Sequence, residues 1–164
     1  YVNSIKEDFD AFSKKGKVYQ FLMGRDVVKA VDFLQGFDEV DEIGVLGESM
    51  GGRNAIIAGG LDDRIKIVVV VSSAGYRGSL GSKEADEFLA YINPNSYIGK
   101  IAPRRLLMLH SIDDSVIPIA DARYSFSLAS EPKIFVEFNE TECKHGYCKP
   151  MHDYIKKELD LSFG

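Results

Sequence analysis

Four compact apolar runs stand out along the chain, Glu42 to Leu46, Ile65 to Ser72, Arg105 to His110 and Lys133 to Phe138, each with little clean alternation. Runs of this kind mark strands buried on both faces, as in a parallel sheet covered by helices on each side. Between them, apolar positions recur at three- and four-residue steps. That spacing predicts helices over Ser49 to Ala58, Glu84 to Tyr91, Ile119 to Ala129 and Pro150 to Leu159, the last with Met151, Tyr154, Ile155 and Leu159 on one face. Upstream, Met23, Val27, Ala30, Val31 and Leu34 form the apolar face of a helix from about Lys17 to Gln35, with Gly36 as its stop. Tyr1 to Lys17 is charged and weakly patterned and reads as a loop or loose helix. Alternating strands and helices predict an α/β fold, a parallel sheet flanked by helices.

The stretch from Gly75 to Pro103 is less regular, interrupted by Pro94 and several glycines, and is the natural place for a cap or lid segment, residues 75–103. Tyr76, Arg77, Phe88, Tyr91 and Tyr97 could line an acyl pocket there. Aromatic residues in such a segment more often pack it down, and that is the favoured reading.

Composition narrows the function classes. A chain of 164 residues, 45% hydrophobic and 27% charged, suits one globular domain, and its net charge of −5 argues against general nucleic-acid or anionic-membrane binding, which needs a cationic footprint. The longest apolar run, Ile67 to Val71 with its flanks, is far shorter than the roughly 20 residues a spanning helix needs. The cytoplasm is the default compartment, with secretion left open because the chain begins at Tyr1 rather than Met. Cys143 and Cys148 could form one local bridge, but two free thiols are the favoured expectation, and the pair makes no metal set. No cofactor is expected.

The candidate chemistry begins at Gly47-Glu48-Ser49-Met50-Gly51, between the apolar run Ile43 to Leu46 and the small-residue helical stretch Gly52 to Ala58. A serine at such a turn takes a strained backbone and presents its hydroxyl outward, while flanking glycines admit close neighbours. The plainer alternative is a serine that only caps the helix. A serine nucleophile needs an imidazole to take its proton and a carboxylate to orient that imidazole. Of three histidines, His110 ends an apolar strand and anchors the loop after it, and His152 sits in the first turn of the last helix, where a surface or packing role is the default. His145 lies in the loop between the last strand and the last helix, where parallel sheets place function. The acid is Asp113 or Asp114, after the third strand.

The order serine, aspartate, histidine is that of the α/β-hydrolases, which the chain resembles. His110-Ser111-Ile112-Asp113-Asp114-Ser115-Val116-Ile117-Pro118 is similar to that superfamily's His-Gly-x-x-Asp-x-x-Val-Pro acid loop, with Ser111 in place of glycine, and this alignment selects Asp114. Gly24-Arg25-Asp26, Leu61-Asp62-Asp63-Arg64-Ile65 and Ile101-Ala102-Pro103-Arg104 resemble the acetyl esterase, dienelactone hydrolase and prolyl-oligopeptidase-like branch. Dienelactone hydrolases proper use cysteine, so Ser49 favours the esterase or peptidase members.

The resemblance runs from about Lys17 and implies a serine esterase with Ser49, Asp114 and His145 as its triad, acting on a small-molecule ester. The backbone N–H of Met50 would be one oxyanion donor. The family's first strands and its second donor have no counterpart upstream of Lys17, which implies a C-terminal part, a weak catalyst and an apolar edge at Glu42 to Leu46 open to a missing segment or to self-association. A serine peptidase or amidase, and a non-catalytic module of the same fold, are the alternatives.

Overall fold

In the computed structural model, which describes residues 4–164, β1 (Ile43–Glu48), β2 (Ile65–Val71), β3 (Arg105–Ser111) and β4 (Lys133–Phe138) form one sheet. The order is β1-β2-β3-β4 and every neighbouring pair is parallel, so successive strands are joined by crossovers rather than hairpins. Successive residues of β2 enter opposite cores: Val68 and Val70 one, Ile67, Val69 and Val71 the other. β3 does the same, with Leu106 and Met108 on one side and Leu107 and Leu109 on the other. Burial on both faces is why these strands show no polar alternation. Full burial of each such side chain contributes about 1.5–3 kcal/mol, a sizeable share of the margin that holds a domain folded.

One core lies under α2 (Tyr19–Leu34), α3 (Met50–Leu61) and α5 (Ile119–Ser127), and the other under α6 (Met151–Phe163), with Cys143, Cys148 and Met151 buried in it. The functional loops follow from this layout. Every strand runs the same way, so the segments after β1, β2, β3 and β4 all leave one edge of the sheet.

The N-terminal stretch is firmer than its charge pattern suggests. Residues 5–13 form α1 (Ile5–Ser13), started by a reciprocal capping box in which Ser4 and Glu7 satisfy each other's backbone amides. Asp8 is fully buried, and its carboxylate accepts from the first amides of α2, Tyr19 N–H and Gln20 N–H, both at 2.8 Å. Phe9 and Phe12 meet Phe88 of α4 (Lys83–Ile92) at ring-centroid distances of 5.4 and 5.6 Å. These signals are local caps and two aromatic contacts, and none leaves a periodic trace. Gly36 has no left-handed backbone, and α2 ends with Gln35 as its cap in ordinary helical geometry.

Along residues 75–103, Phe88, Tyr97 and Ile98 are buried in the cores, and Tyr91 packs against Phe21 with the rings tilted by 31° and their centroids 4.2 Å apart. Their role is packing; of the five candidates in this segment, Tyr76 and Arg77 line a surface hollow beside Pro118, and Tyr91 lines another against α1. Among the described residues β1 pairs with β2 alone, and Leu46 on it is 53% exposed. No helix among the described residues is long and apolar enough to cross a membrane.

Candidate active site

Ser49 sits between β1 and α3 with φ 53° and ψ −116°, a conformation that costs an ordinary residue about 1–3 kcal/mol. Its amide donates to Val71 O at 2.9 Å, which fastens the turn to the end of β2. A Cβ at Gly47 would collide with the backbone of Gly51, and one at Gly52 would come within 2.6 Å of the Ser73 Cβ. At Gly51 a Cβ would meet nothing within 4 Å. The close approaches therefore fall on the first glycine of the motif and on the one after it, while the second motif glycine faces open space. The hydroxyl of Ser49 makes no capping bond to α3. It lies 2.9 Å from His145 Nε2 instead.

His145 Nδ1 is 3.0 and 3.1 Å from the two carboxylate oxygens of Asp114. A carboxylate only accepts, so Nδ1 carries the proton and the Nε2 lone pair is left for the serine O–H. The Asp114 side chain is completely buried, whereas the imidazole retains 25% exposure. Burial pushes the Asp114 carboxyl upward, but N–H donors from Ile117 (2.9 Å), His145 and Val116 (2.8 Å) outweigh it and hold the group below its usual range. Asp113, the other acid candidate, points to solvent and pairs with Lys144 at 3.5 Å.

His110 and His152 lie apart from Ser49 Oγ. His110 is buried, and its Nε2–H donates to Ile117 O at 2.8 Å, pinning the acid loop. Among the described residues its Nδ1 has no partner, so the neutral ring leaves only a lone pair unsatisfied, and burial pushes its pKa down against the pull of Ile117 O and Asp114. His152 is exposed at the start of α6.

Several residues that sequence reasoning passed over hold the histidine loop. Ser111 Oγ donates to Cys143 O at 2.6 Å, Ser72 Oγ accepts from Gly146 N–H at 2.9 Å, and Glu48 Oε2 accepts from Tyr147 N–H at 2.9 Å. Leaving β4, the loop thus crosses the ends of β3, β2 and β1 and is tied to each. Gly146 turns in the left-handed region at φ 95°. Ser72 is itself left-handed at φ 47°, which no motif announces.

The expectation of free thiols fails here, because Cys143 and Cys148 form a disulfide. The compact turn through Gly146 brings their Cα atoms to 5.3 Å, inside the usual bridging range. The bridge closes directly around His145.

Met50 opens α3, so its N–H is among the helix-start amides that no intrahelical carbonyl can reach. Beside this end of α3 are two hollows. One of about 240 Å³ includes Met50, Arg53 and Tyr76, and another of about 330 Å³ runs from Arg53 and Gly75 to Val116 and Pro118. Arg53 divides them, its Nε donating to Ala74 O (3.1 Å) and its Nη1 to Tyr76 Oη (2.8 Å). Among the described residues, no three His, Cys, Asp or Glu side chains converge as a metal set.

No protein-family model matches the chain. It is 28% identical to the uncharacterized protein YfhR of Escherichia coli over 173 residues, covering 93% of this chain and 60% of that protein. It is 32% identical to the putative hydrolase YtaP of Bacillus subtilis over 124 residues, covering 68% of this chain and 42% of that protein. The chain therefore spans about half the length of these curated relatives. Among solved structures, an acetyl xylan esterase from a Paenibacillus species superposes with a TM-score of 0.73 at 19% identity, over 84% of this chain and 51% of the esterase. A parallel sheet with its serine, histidine and aspartate loops at one edge, matched over half of such an esterase, gives the chain the α/β-hydrolase fold.

Proposed function

We propose that the chain carries the catalytic residues of a serine hydrolase that cleaves a carboxylic ester through an acyl-enzyme. The observation that carries this reading is the hydrogen-bond chain from Ser49 Oγ through His145 to the buried Asp114. Ser49 Oγ attacks the ester carbonyl while His145 Nε2 takes its proton. His145 then gives that proton to the departing alkoxide as the tetrahedral adduct collapses to the acyl-serine. In the second half, water gives its proton to His145 Nε2 and attacks the acyl carbonyl, and the serine leaves with that proton. Asp114 holds the Nδ1–H tautomer and stabilises the imidazolium. Met50 N–H, at the positive end of α3, binds the developing oxyanion.

The esters are those of small molecules, since the hollows beside Met50 are of a few hundred Å³. Residues 75–103 act as the cover of that side, through Tyr76 and Arg77. The esterase reading is preferred to the peptidase one because several of the similar solved structures are named as esterases.

The test is intact-mass analysis after exposure to a fluorophosphonate, which captures an activated serine without knowledge of the substrate. One adduct on the wild type and none on Ser49→Ala is expected. Turnover of an activated ester without turnover of peptide anilides completes the assignment. A folded wild-type chain that takes no label would favour the non-catalytic module.

A further inference from the structure

We propose that Glu48, the residue before the nucleophile, is a positioning residue that sets the distance between Ser49 and His145; this rests on the serine-hydrolase reading above. Two observations meet on its carboxylate. Glu48 Oε2 accepts the Tyr147 amide at 2.9 Å, and a Cβ built on Gly146 would fall 2.9 Å from Glu48 Oε1. The backbone turn that follows His145 therefore lies against the Glu48 carboxylate, and a side chain at position 146 would push that carboxylate aside.

The placement is what gives this contact a catalytic consequence. Ser72 and Ser111 tie the histidine loop to β2 and β3, but neither strand carries the nucleophile. Glu48 ties it to β1, one peptide bond from Ser49, so the atom that attacks and the atom that takes its proton are referenced to the same strand end. A carboxylate suits the task, because a charged acceptor bonds a backbone N–H more strongly than a neutral one. The side chain lies at the surface, where one hydrogen bond contributes little to overall stability. Its loss should then move the loop without unfolding the domain, and displacements of about 1 Å between reacting groups can cost roughly 10²-fold in rate.

The test compares the intact protein with Glu48→Ala and Glu48→Gln, measuring fluorophosphonate inactivation over a range of probe concentrations. Glu48→Ala is expected to lower the maximal inactivation rate by about tenfold or more. The half-saturating probe concentration and the thermal midpoint should stay close to wild type. Glu48→Gln keeps an acceptor oxygen and should return the rate to within about threefold of wild type. A Glu48→Ala protein that reacts as fast as wild type overturns the proposal, and so does a Glu48→Gln protein as slow as Glu48→Ala. A wild type that takes no label overturns the serine-hydrolase reading, and the positioning role falls with it. Independently of any variant, the Tyr147 amide should exchange slowly with solvent in the wild type, and exchange at the unprotected rate would overturn the contact itself.

Discussion

His110 Nε2 lies 3.4 Å from Asp114 Oδ2, yet its proton is directed to Ile117 O at 2.8 Å, so the two buried groups touch as a neutral imidazole and an ionised carboxylate. Burial depresses the His110 pKa from its usual value near 6.5. The unfolded chain therefore takes up a proton near pH 6.5 that the folded chain refuses. The contribution of His110 is complete above pH 6.5 and is lost as pH falls from there through the depressed folded value, at no more than about 1.4 kcal/mol per pH unit for one proton. Urea unfolding between pH 7.5 and 5 should show this loss, and His110→Gln should flatten it. Equal slopes for the two proteins would contradict it.

Asp114 acts in a lower window. Its folded pKa is held below the usual 3.8, so its contribution is present above pH 3.8 and disappears as pH falls through the lower folded value. Asp114→Asn should keep the shape of the site but offer an amide N–H where the imidazole needs an acceptor. Labelling of Ser49 and ester turnover should fall by about 10³- to 10⁴-fold. His145→Ala should fall as far, and the double variant little further, because the residues act as one unit. Additive losses in rate measurements would argue that they act independently.

The glycines of the nucleophile motif should separate under substitution. Gly47→Ala drives a methyl group into the Gly51 backbone and should cost about 2–4 kcal/mol. Gly51→Ala meets open space inside a helix and should be neutral or stabilising by up to about 1 kcal/mol. Thermal unfolding of the two variants checks the order. A Gly51→Ala protein as unstable as Gly47→Ala would refute the packing described for this turn.

Reduction of the Cys143–Cys148 bridge frees the loop that carries His145. For a closure of so few residues, chain entropy gives about 2 kcal/mol of stabilisation, or a fall of roughly 4–8 °C in thermal midpoint for a domain of this size. Cys143→Ser with Cys148→Ser should reproduce the shift without reductant and slow fluorophosphonate labelling as well. Unchanged midpoint and unchanged labelling would show that Ser72, Ser111 and Glu48 suffice to hold the loop.

What could be read from the chain beforehand was whatever repeats or whatever obeys a fixed spacing. Ile67 to Val71 announced a strand because burial on both faces removes polar residues from it, and Ser49 announced itself because a strained turn needs small neighbours. α1 was legible only as a loose segment, since its order comes from the Ser4 and Glu7 cap and from Asp8 reaching across to α2. Ser72 and Glu48 were invisible for a similar reason. Their partners are amides more than seventy positions away, and hydrogen bonds between a side chain and a distant backbone leave no pattern along the chain. The bridge between Cys143 and Cys148 is not legible in the sequence, because spacing alone says nothing of the turn through Gly146 that closes it.

The loop strapped across β3, β2 and β1 makes the serine and histidine a gauge of the whole sheet. A one-residue slip of any strand would carry its anchor about 3.3 Å along the strand and break that tie. Molecules with a misaligned sheet would then lose the 2.9 Å approach of Ser49 and His145 while keeping most of their helices and apolar burial. In a preparation of this protein, the fraction that takes a serine-directed label would count the correctly registered molecules, which circular dichroism would not distinguish from their slipped neighbours.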